Sequence, residues 1–499
     1  MSAFLEEAEY DAIVLGTGLV ESIIAGALAY QGKRVLHLDQ NAHYGGNWSS
    51  VTIEELMQLI TMLKSGPEPA ELSSSLNVDF QRSQCDYFLD VECEGDLEVL
   101  KDESRKYALD LCPKLVQCTG EMVEALIRSG VGKYLEFKAL ESISILDSEK
   151  KTFFKVPSSK NDVFTNTDLS LVDKRRLMKF LKAALEESLE LEGYEDQPMN
   201  KFIENKFALQ ETMKNTILYA IARSNNRDEL KTSEGIKRTT QYMKSVGRFG
   251  NCAYICPLYG GSSEIVQGFC RLCAVHGGTY ILNHPIRKLF IDPDTEEYRV
   301  GVVGDNEQVL KAKHLITSMD FLPSEWKSTP GKNEFVSRAI VITDKSSDET
   351  EVSEFVFPPG TVDNQHTVVA LRLASGVQVC PKDKCLYYFF AKSSGGKAKD
   401  ELLPAINALI NPSSTTDESP QDIPRIHFSF YFRQCIRSPA ASLPQDILVC
   451  PDPDPSLDLE QATQLARDLF CHITGMTEEE FLPAIQKEED EEDVPTEEL

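Results

Sequence analysis

The stretch that most constrains what this chain can become is residues 10–31. Residues 11–15, DAIVL, form a short apolar run and read as a buried strand of a parallel sheet. Gly16, Thr17 and Gly18 supply a tight turn, 19–31 follows with helical apolar spacing, and 34–39 reads as a second strand after Gly32. The unit is therefore βαβ. Its helix N-terminus is a place for a phosphate, and Asp39, about 20 positions on, is placed to hold a ribose. One position departs from G-x-G-x-x-G: the third glycine is Glu21. That glycine normally lets helix and strand pack closely, and a carboxylate has the wrong size. At about 4 Å and an effective dielectric near 20, its charge also repels a phosphate by roughly 4 kcal/mol. This about erases what a helix dipole and a few amide hydrogen bonds provide. The balance favours a structural turn over a flavin or nicotinamide site.

At 499 residues the chain exceeds one hydrophobic core, so two or three domains are expected. A net charge of −28 argues against a nucleic-acid or anionic-membrane surface. It fits a partner with basic surface, or simply a solvated acidic exterior. Thirteen scattered cysteines, an odd number, point to reduced thiols in the cytosol. No leader, membrane span or lipid anchor is expected: the start is acidic, no run reaches about 18 apolar residues, and no prenylation cysteine closes the sequence.

Along the chain, 52–63 has helical spacing with Thr52 as its cap, 65–75 reads as a loop, and 91–108 is charged and irregular. From 111 to about 247 the spacing is mostly helical, over 114–128, 171–191, 199–209, 211–223 and 235–246. One strand-like interruption falls at 137–154. Alternation returns after Arg248, with a helix at 263–276, a run of strands, a polar loop at 411–424 and a closing helix at 459–474. The acidic end, 487–498, has no core former and reads as disordered. The expected division is 1–108 and 248–475 as two parts of an α/β domain, 109–247 as an inserted helical domain, and 476–499 as a tail.

No catalytic constellation emerges, and no metal site is expected. Cys252, Cys256, Cys270 and Cys273 lie on a strand and a helix without turns to converge four sulfurs, so they read as core filler. The stretch 259–281 is more informative. Glu264 and Arg271 are seven apart on one helix and share a face, and Tyr280 follows a Gly-Gly turn. Beside Tyr44 they would form a polar-aromatic docking surface rather than a pocket, since Tyr and Arg dominate interface energies. The plainer reading is an exposed face with an internal ion pair.

Three runs carry a resemblance: VLGTGLVE at 14–21; LHLD at 36–39 leading to Tyr44, Gly45 and Gly46; and PLYG at 257–260 through Glu264, QGF at 267–269, Arg271 and GGTY at 277–280. With them the chain resembles the GDP-dissociation-inhibitor/Rab-escort superfamily, in which Glu21 belongs to the pattern. Escort-type runs include YGGNW at 44–48, DLCPK at 110–114, YLEFK at 134–138 and GRFGN at 247–251.

The resemblance implies a flavoprotein-like α/β fold with an inserted helical domain, no cofactor and no catalytic residue. It implies a Rab-binding platform at Tyr44, Glu264, Arg271, Thr279, Tyr280 and Ile281, and a relict turn at Gly16, Gly18 and Glu21. The partners implied are Rab small GTPases, the catalytic heterodimer of Rab geranylgeranyltransferase docked near 211–227, the geranylgeranyl lipid, and transiently a membrane. A Rab GDP-dissociation inhibitor and an FAD- or NAD-dependent oxidoreductase are the alternative readings.

Overall fold

The computed structural model describes residues 5–65, 86–157, 162–163, 170–291, 297–304, 306–323, 326–328, 334–345, 348–411, 424–441 and 443–482. The loop expected at 65–75 lies outside them from 66 on, as do most of the 411–424 loop and the acidic stretch after 482.

Strand β1 (Glu9–Leu15), helix α1 (Leu19–Tyr30) and strand β2 (Val35–Leu38) form the expected βαβ unit, with β1 and β2 parallel. Helix α2 (Ser262–Val275) then leads into β3 (Thr279–Ile281), which adds in parallel to β2 and ends the sheet on that side. Strands β4 (Ile286–Ile291), β5 (Val300–Gly304) and β6 (Val309–Ser318) continue the sheet on the far side of β1. Finally β7 (Ile447–Cys450) pairs in parallel with β6, and helix α3 (Glu460–Thr474) follows.

Every residue of α1 from Leu19 to Ala29 is buried, as its all-round small and apolar sequence requires. Gly26 permits the close crossing of α2: a Cβ there would stand 3.1 Å from the Phe269 carbonyl oxygen.

A second sheet has eight strands, in the order Phe88–Gly95, Ile426–Ile436, Glu334–Asp344, Lys384–Lys392, Val368–Ala374, Val352–Phe357, Ser142–Leu146 and Phe153–Lys155. Its strands alternate faces. Ile340, Leu371 and Tyr388 share a core with Leu177, Phe180, Phe202 and Ile217 of the helical stretch. Val341, Ala370 and Phe389 pack on helix Ala398–Ile410. The helical stretch and this sheet thus close one core together.

Several expectations change. The charged segment 91–108 contains part of an edge strand, Phe88–Gly95, and a 3-10 turn, Glu98–Lys106. The helix expected at 114–128 is confined to Glu121–Arg128, because Val116 and Gln117 pair with Ile255 and Tyr254. The helix from Leu171 stops at Leu185, and 211–223 becomes a short helix, Glu211–Asn215, running into a π turn, Thr216–Ile221. The helix Ala398–Ile410 was not expected, since it carries Pro404 inside, a residue that normally breaks one. Among the described residues, no helix is long and apolar enough to cross a membrane.

Candidate functional site

The turn after β1 is tied to the loop after β2. Asp39, placed by spacing to hold a ribose, instead accepts hydrogen bonds from the Thr17 amide (2.8 Å), the Thr17 hydroxyl (2.6 Å) and the Asn41 amide (2.8 Å). Gly45 donates its amide to Thr17 Oγ1 at 3.0 Å. From the other side, the amides of Asn283 and His284 donate to the carbonyls of Asn41 and Asp39, both at 2.8 Å. Turn, loop and the end of β3 are therefore one hydrogen-bonded unit. It seats Tyr44 against Tyr280, ring centroids 5.4 Å apart and nearly parallel. Tyr280 stands opposite His37 in the β2–β3 register, with rings 5.7 Å apart. Burial pushes the His37 pKa down to about 4, so its ring is neutral and Nε2 donates to the Gly16 carbonyl at 2.7 Å.

The same unit excludes a dinucleotide. Glu21 is 2% exposed, and its carboxylate folds back against Gly18, where a Cβ would collide with Oε2. Burial raises its pKa to about 8, and Asp320, Asp39 and Asp452 push the same way. Arg437 is already engaged by Asp452 (2.6 Å) and Asp320 (2.7 Å). The cavity left among Gly16, Gly18, Glu21, Asp39, Asn47, Asp320 and Asp452 measures about 20 Å³, room for one water. A pyrophosphate fits neither the space nor the sign of the charge.

Helix α2 presents the rest. Its N-terminus is capped from outside: Asp110 accepts from the Ser262 amide at 3.2 Å and from the Cys112 amide at 3.2 Å. Burial raises the Asp110 pKa to about 7. Gly261, at φ +55°, must lack a side chain because a Cβ would strike this carboxylate. Two turns apart on α2, Glu264 is half-buried and Arg271 exposed. Burial alone raises the Glu264 pKa. Among the described residues neither charge makes an ion pair or side-chain hydrogen bond, with each other or elsewhere, so the plain reading of an internal pair is not what α2 adopts. The Arg271 guanidinium carbon lies over the Tyr134 ring, 4.0 Å from its centroid.

Of the six platform residues, Tyr44 and Tyr280 touch, Thr279 and Ile281 flank Tyr280 in β3, and Glu264 and Arg271 share α2. Tyr44 and Tyr280 pack on the core that holds the buried face of α2. Among the described residues no polar or ring contact joins the two groups directly. The four cysteines part company: Cys252 and Cys256 belong to one core, Cys270 and Cys273 to another.

The family model described as GDP dissociation inhibitor matches residues 6–96 and 87–416. The chain belongs to the GDP dissociation inhibitor family. It is 30% identical to the Rab proteins geranylgeranyltransferase component A of Drosophila melanogaster, over 95% of this chain and 90% of that one. It is 29% identical to Rab escort protein 1 of Arabidopsis thaliana, over 98% and 97% of the two chains. The crystal structure of a Rab GDI from Plasmodium falciparum has the same fold, with TM-score 0.72, 21% identity, and 95% and 99% coverage. An oxidoreductase from Methanosarcina mazei shares the fold more loosely, with TM-score 0.56, 13% identity, and 92% and 99% coverage. The fold is thus the α/β, flavoprotein-like one expected, carried by a member of the inhibitor family.

For this family member, three contributors to the site escaped the sequence. Asp110 caps α2 from 152 positions away. Lys114 is buried under the Tyr44 loop: it pairs with Asp454, donates to the Ser456 carbonyl at 2.6 Å and lies 5.5 Å from the Trp48 ring centroid. Both belong to the DLCPK run, which was legible as a motif but not as a support. Tyr134 is the third, in the equally visible YLEFK run.

Proposed function

We propose that this chain is a non-catalytic escort for Rab small GTPases. It binds a newly made, GDP-bound Rab through Tyr44, Glu264, Arg271, Thr279, Tyr280 and Ile281. The flexible, cysteine-bearing tail of that Rab is then presented to a separate catalytic heterodimer of Rab geranylgeranyltransferase. Holding the GTPase domain raises the local concentration of the tail, to about the millimolar range, with no need to read its sequence. Residues 109–247 dock the heterodimer and shelter the attached lipid, whose exposure costs about 0.8 kcal/mol per methylene. A bilayer then competes for the lipid and receives the product. The chain works in the cytosol and uses no cofactor.

The observation that carries this reading is a helix face with two opposite charges that meet no counter-charge among the described residues. Among the described residues Glu264 and Arg271 form no ion pair, in a chain of 79 acidic and 51 basic residues. The core that holds the buried face of α2 also carries two stacked tyrosines. Such a surface is suited to a partner protein, and relatives named as geranylgeranyltransferase component A and Rab escort protein say which kind.

The test combines the chain with GDP-loaded Rab, the catalytic heterodimer and a labelled prenyl donor. Prenylation is expected to rise well above that of the heterodimer alone, and no rise would sink the proposal. The second reading, a GDP-dissociation inhibitor that recycles prenylated Rabs, draws on the likeness to the Rab GDI fold. It calls for tight binding of prenylated Rab and no association with the heterodimer.

A further inference from the structure

The exposed face of α2 holds a detail that the platform residues do not account for. Arg271 is exposed, yet its guanidinium carbon lies over the ring of Tyr134, 4.0 Å from the centroid. Tyr134 is itself 56% exposed, so its ring is not there to fill a core. A cation–π contact of this kind uses none of the guanidinium N–H groups as hydrogen-bond donors. Among the described residues those N–H groups meet no carboxylate, in a chain carrying 79 acidic residues.

The approach of the two residues is built in. Tyr134 ends a 3-10 turn, Val131–Tyr134, that starts at Gly130 in the left-handed region, φ +74°. This turn crosses α2 at Gly268, where a Cβ would come within 2.6 Å of Val131 Cγ1. A side chain at 268 would push the turn away and lift the ring off Arg271. Beyond Tyr134, Phe137 to Ala139 are paired to Ile255 to Pro257, which anchors the segment from its other end. One helical turn past Arg271, Val275 is also exposed, so the stacked pair has an apolar neighbour on the helix.

We infer that Tyr134 is a positioning residue for partner binding: it holds the Arg271 guanidinium over its ring so that the N–H groups receive a carboxylate of the bound GTPase. The inference rests on the escort reading above and adds both a residue and the chemistry of the group opposite it. A flexible arginine loses side-chain entropy when it binds; one already laid on a ring loses less. A planar fork held in place also favours two parallel bonds to an Asp or Glu over a single bond to a carbonyl. Partner binding would dry the stack and strengthen it.

The experiment is a double-mutant cycle on the full chain, reading the affinity for GDP-loaded, unprenylated Rab. Tyr134→Ala is expected to weaken binding about ten- to thirtyfold, the range of a cation–π contact that becomes desolvated. Tyr134→Phe, which keeps the ring, stays within about twofold of the unsubstituted chain. In the Arg271→Ala background, Tyr134→Ala adds less than about twofold, because its effect runs through the guanidinium. Thermal unfolding of each variant shows that the fold is kept, as expected for a half-exposed side chain.

An equal loss from Tyr134→Ala with and without Arg271 would overturn the inference, as would a Tyr134→Phe loss matching that of Tyr134→Ala. Binding that falls with Arg271→Ala but not with Tyr134→Ala would remove this inference and leave the escort reading standing. No binding by the unsubstituted chain would overturn both.

Discussion

Arg437, beside the turn at Gly16 to Gly18, is 4% exposed and holds Asp452 at 2.6 Å and Asp320 at 2.7 Å. Arg271, on the outer face of α2, is exposed and makes no ion pair or hydrogen bond among the described residues, resting only on an aromatic ring. The same contrast separates their acidic neighbours. Glu21 is sealed in, with its pKa raised to about 8, whereas Glu264 is half open to solvent. In the first region charge is neutralised within the chain, and what remains is scaffold. In the second it meets no counter-charge among the described residues, as the proposed docking surface requires. Removing a buried partner exposes an uncompensated charge and is felt as stability. Removing an unpaired surface arginine is felt only when something binds.

The contrast breaks most visibly at Arg437. Arg437→Met removes the buried guanidinium that Asp320 and Asp452 share and is expected to cost roughly 3–5 kcal/mol in urea unfolding. A loss below about 1 kcal/mol would place this pair with ordinary surface bridges.

Glu21 sharpens it through pH. Its folded pKa of about 8 lies above the ordinary 4.5, so between those values the folded chain keeps a proton that the unfolded chain has released. Its contribution to stability is therefore present in full below about pH 4.5 and lost as pH rises through about 8. From pH 6 to 8 the unsubstituted chain should lose roughly 2–3 kcal/mol that Glu21→Gln does not lose, at about 1.4 kcal/mol per pH unit. Asp110 and Glu460, with pKa values near 7 and 8, titrate in the same window in both proteins and cancel in the difference. Parallel stability profiles would show that the Glu21 carboxyl is not held as buried.

Arg271→Ala makes the reverse case. Rab affinity is expected to fall by about 1–2 kcal/mol by calorimetry, with an unchanged unfolding midpoint. A lowered midpoint with unchanged affinity would put Arg271 among the scaffold residues. Asp110 joins the two regions, being buried like Glu21 yet capping the helix that carries Arg271. Asp110→Ala should cost about 1 kcal/mol in unfolding and also weaken Rab binding. A stability loss that leaves affinity untouched would show that the cap does not orient α2.

How far the sequence disclosed this arrangement depended on distance along the chain. The βαβ start was legible because strand, turn and helix are contiguous, and the misfit of Glu21 could be read from its size and charge alone. Glu264 and Arg271 were legible as a shared face because helical periodicity is local. That they form no pair among the described residues was not, since spacing on a helix does not report what each side chain meets. Asp110 and Tyr134 reach α2 from distant segments, so only the fold brings them to it. In the second sheet, Pro404 hid a helix, and strand 352–357 was missed although it is fully paired on both sides. Strand pairing overrode helical spacing at Val116 and Gln117, where Tyr254 and Ile255 supply the ladder.

The most direct measurement is equilibrium binding of the full chain to a GDP-loaded, unprenylated Rab. Saturable binding that weakens by about 1–2 kcal/mol with Arg271→Ala and is unchanged with Glu21→Gln is the expected result. No binding, or equal binding by the Arg271→Ala chain, would contradict the assignment of the α2 face to a GTPase partner.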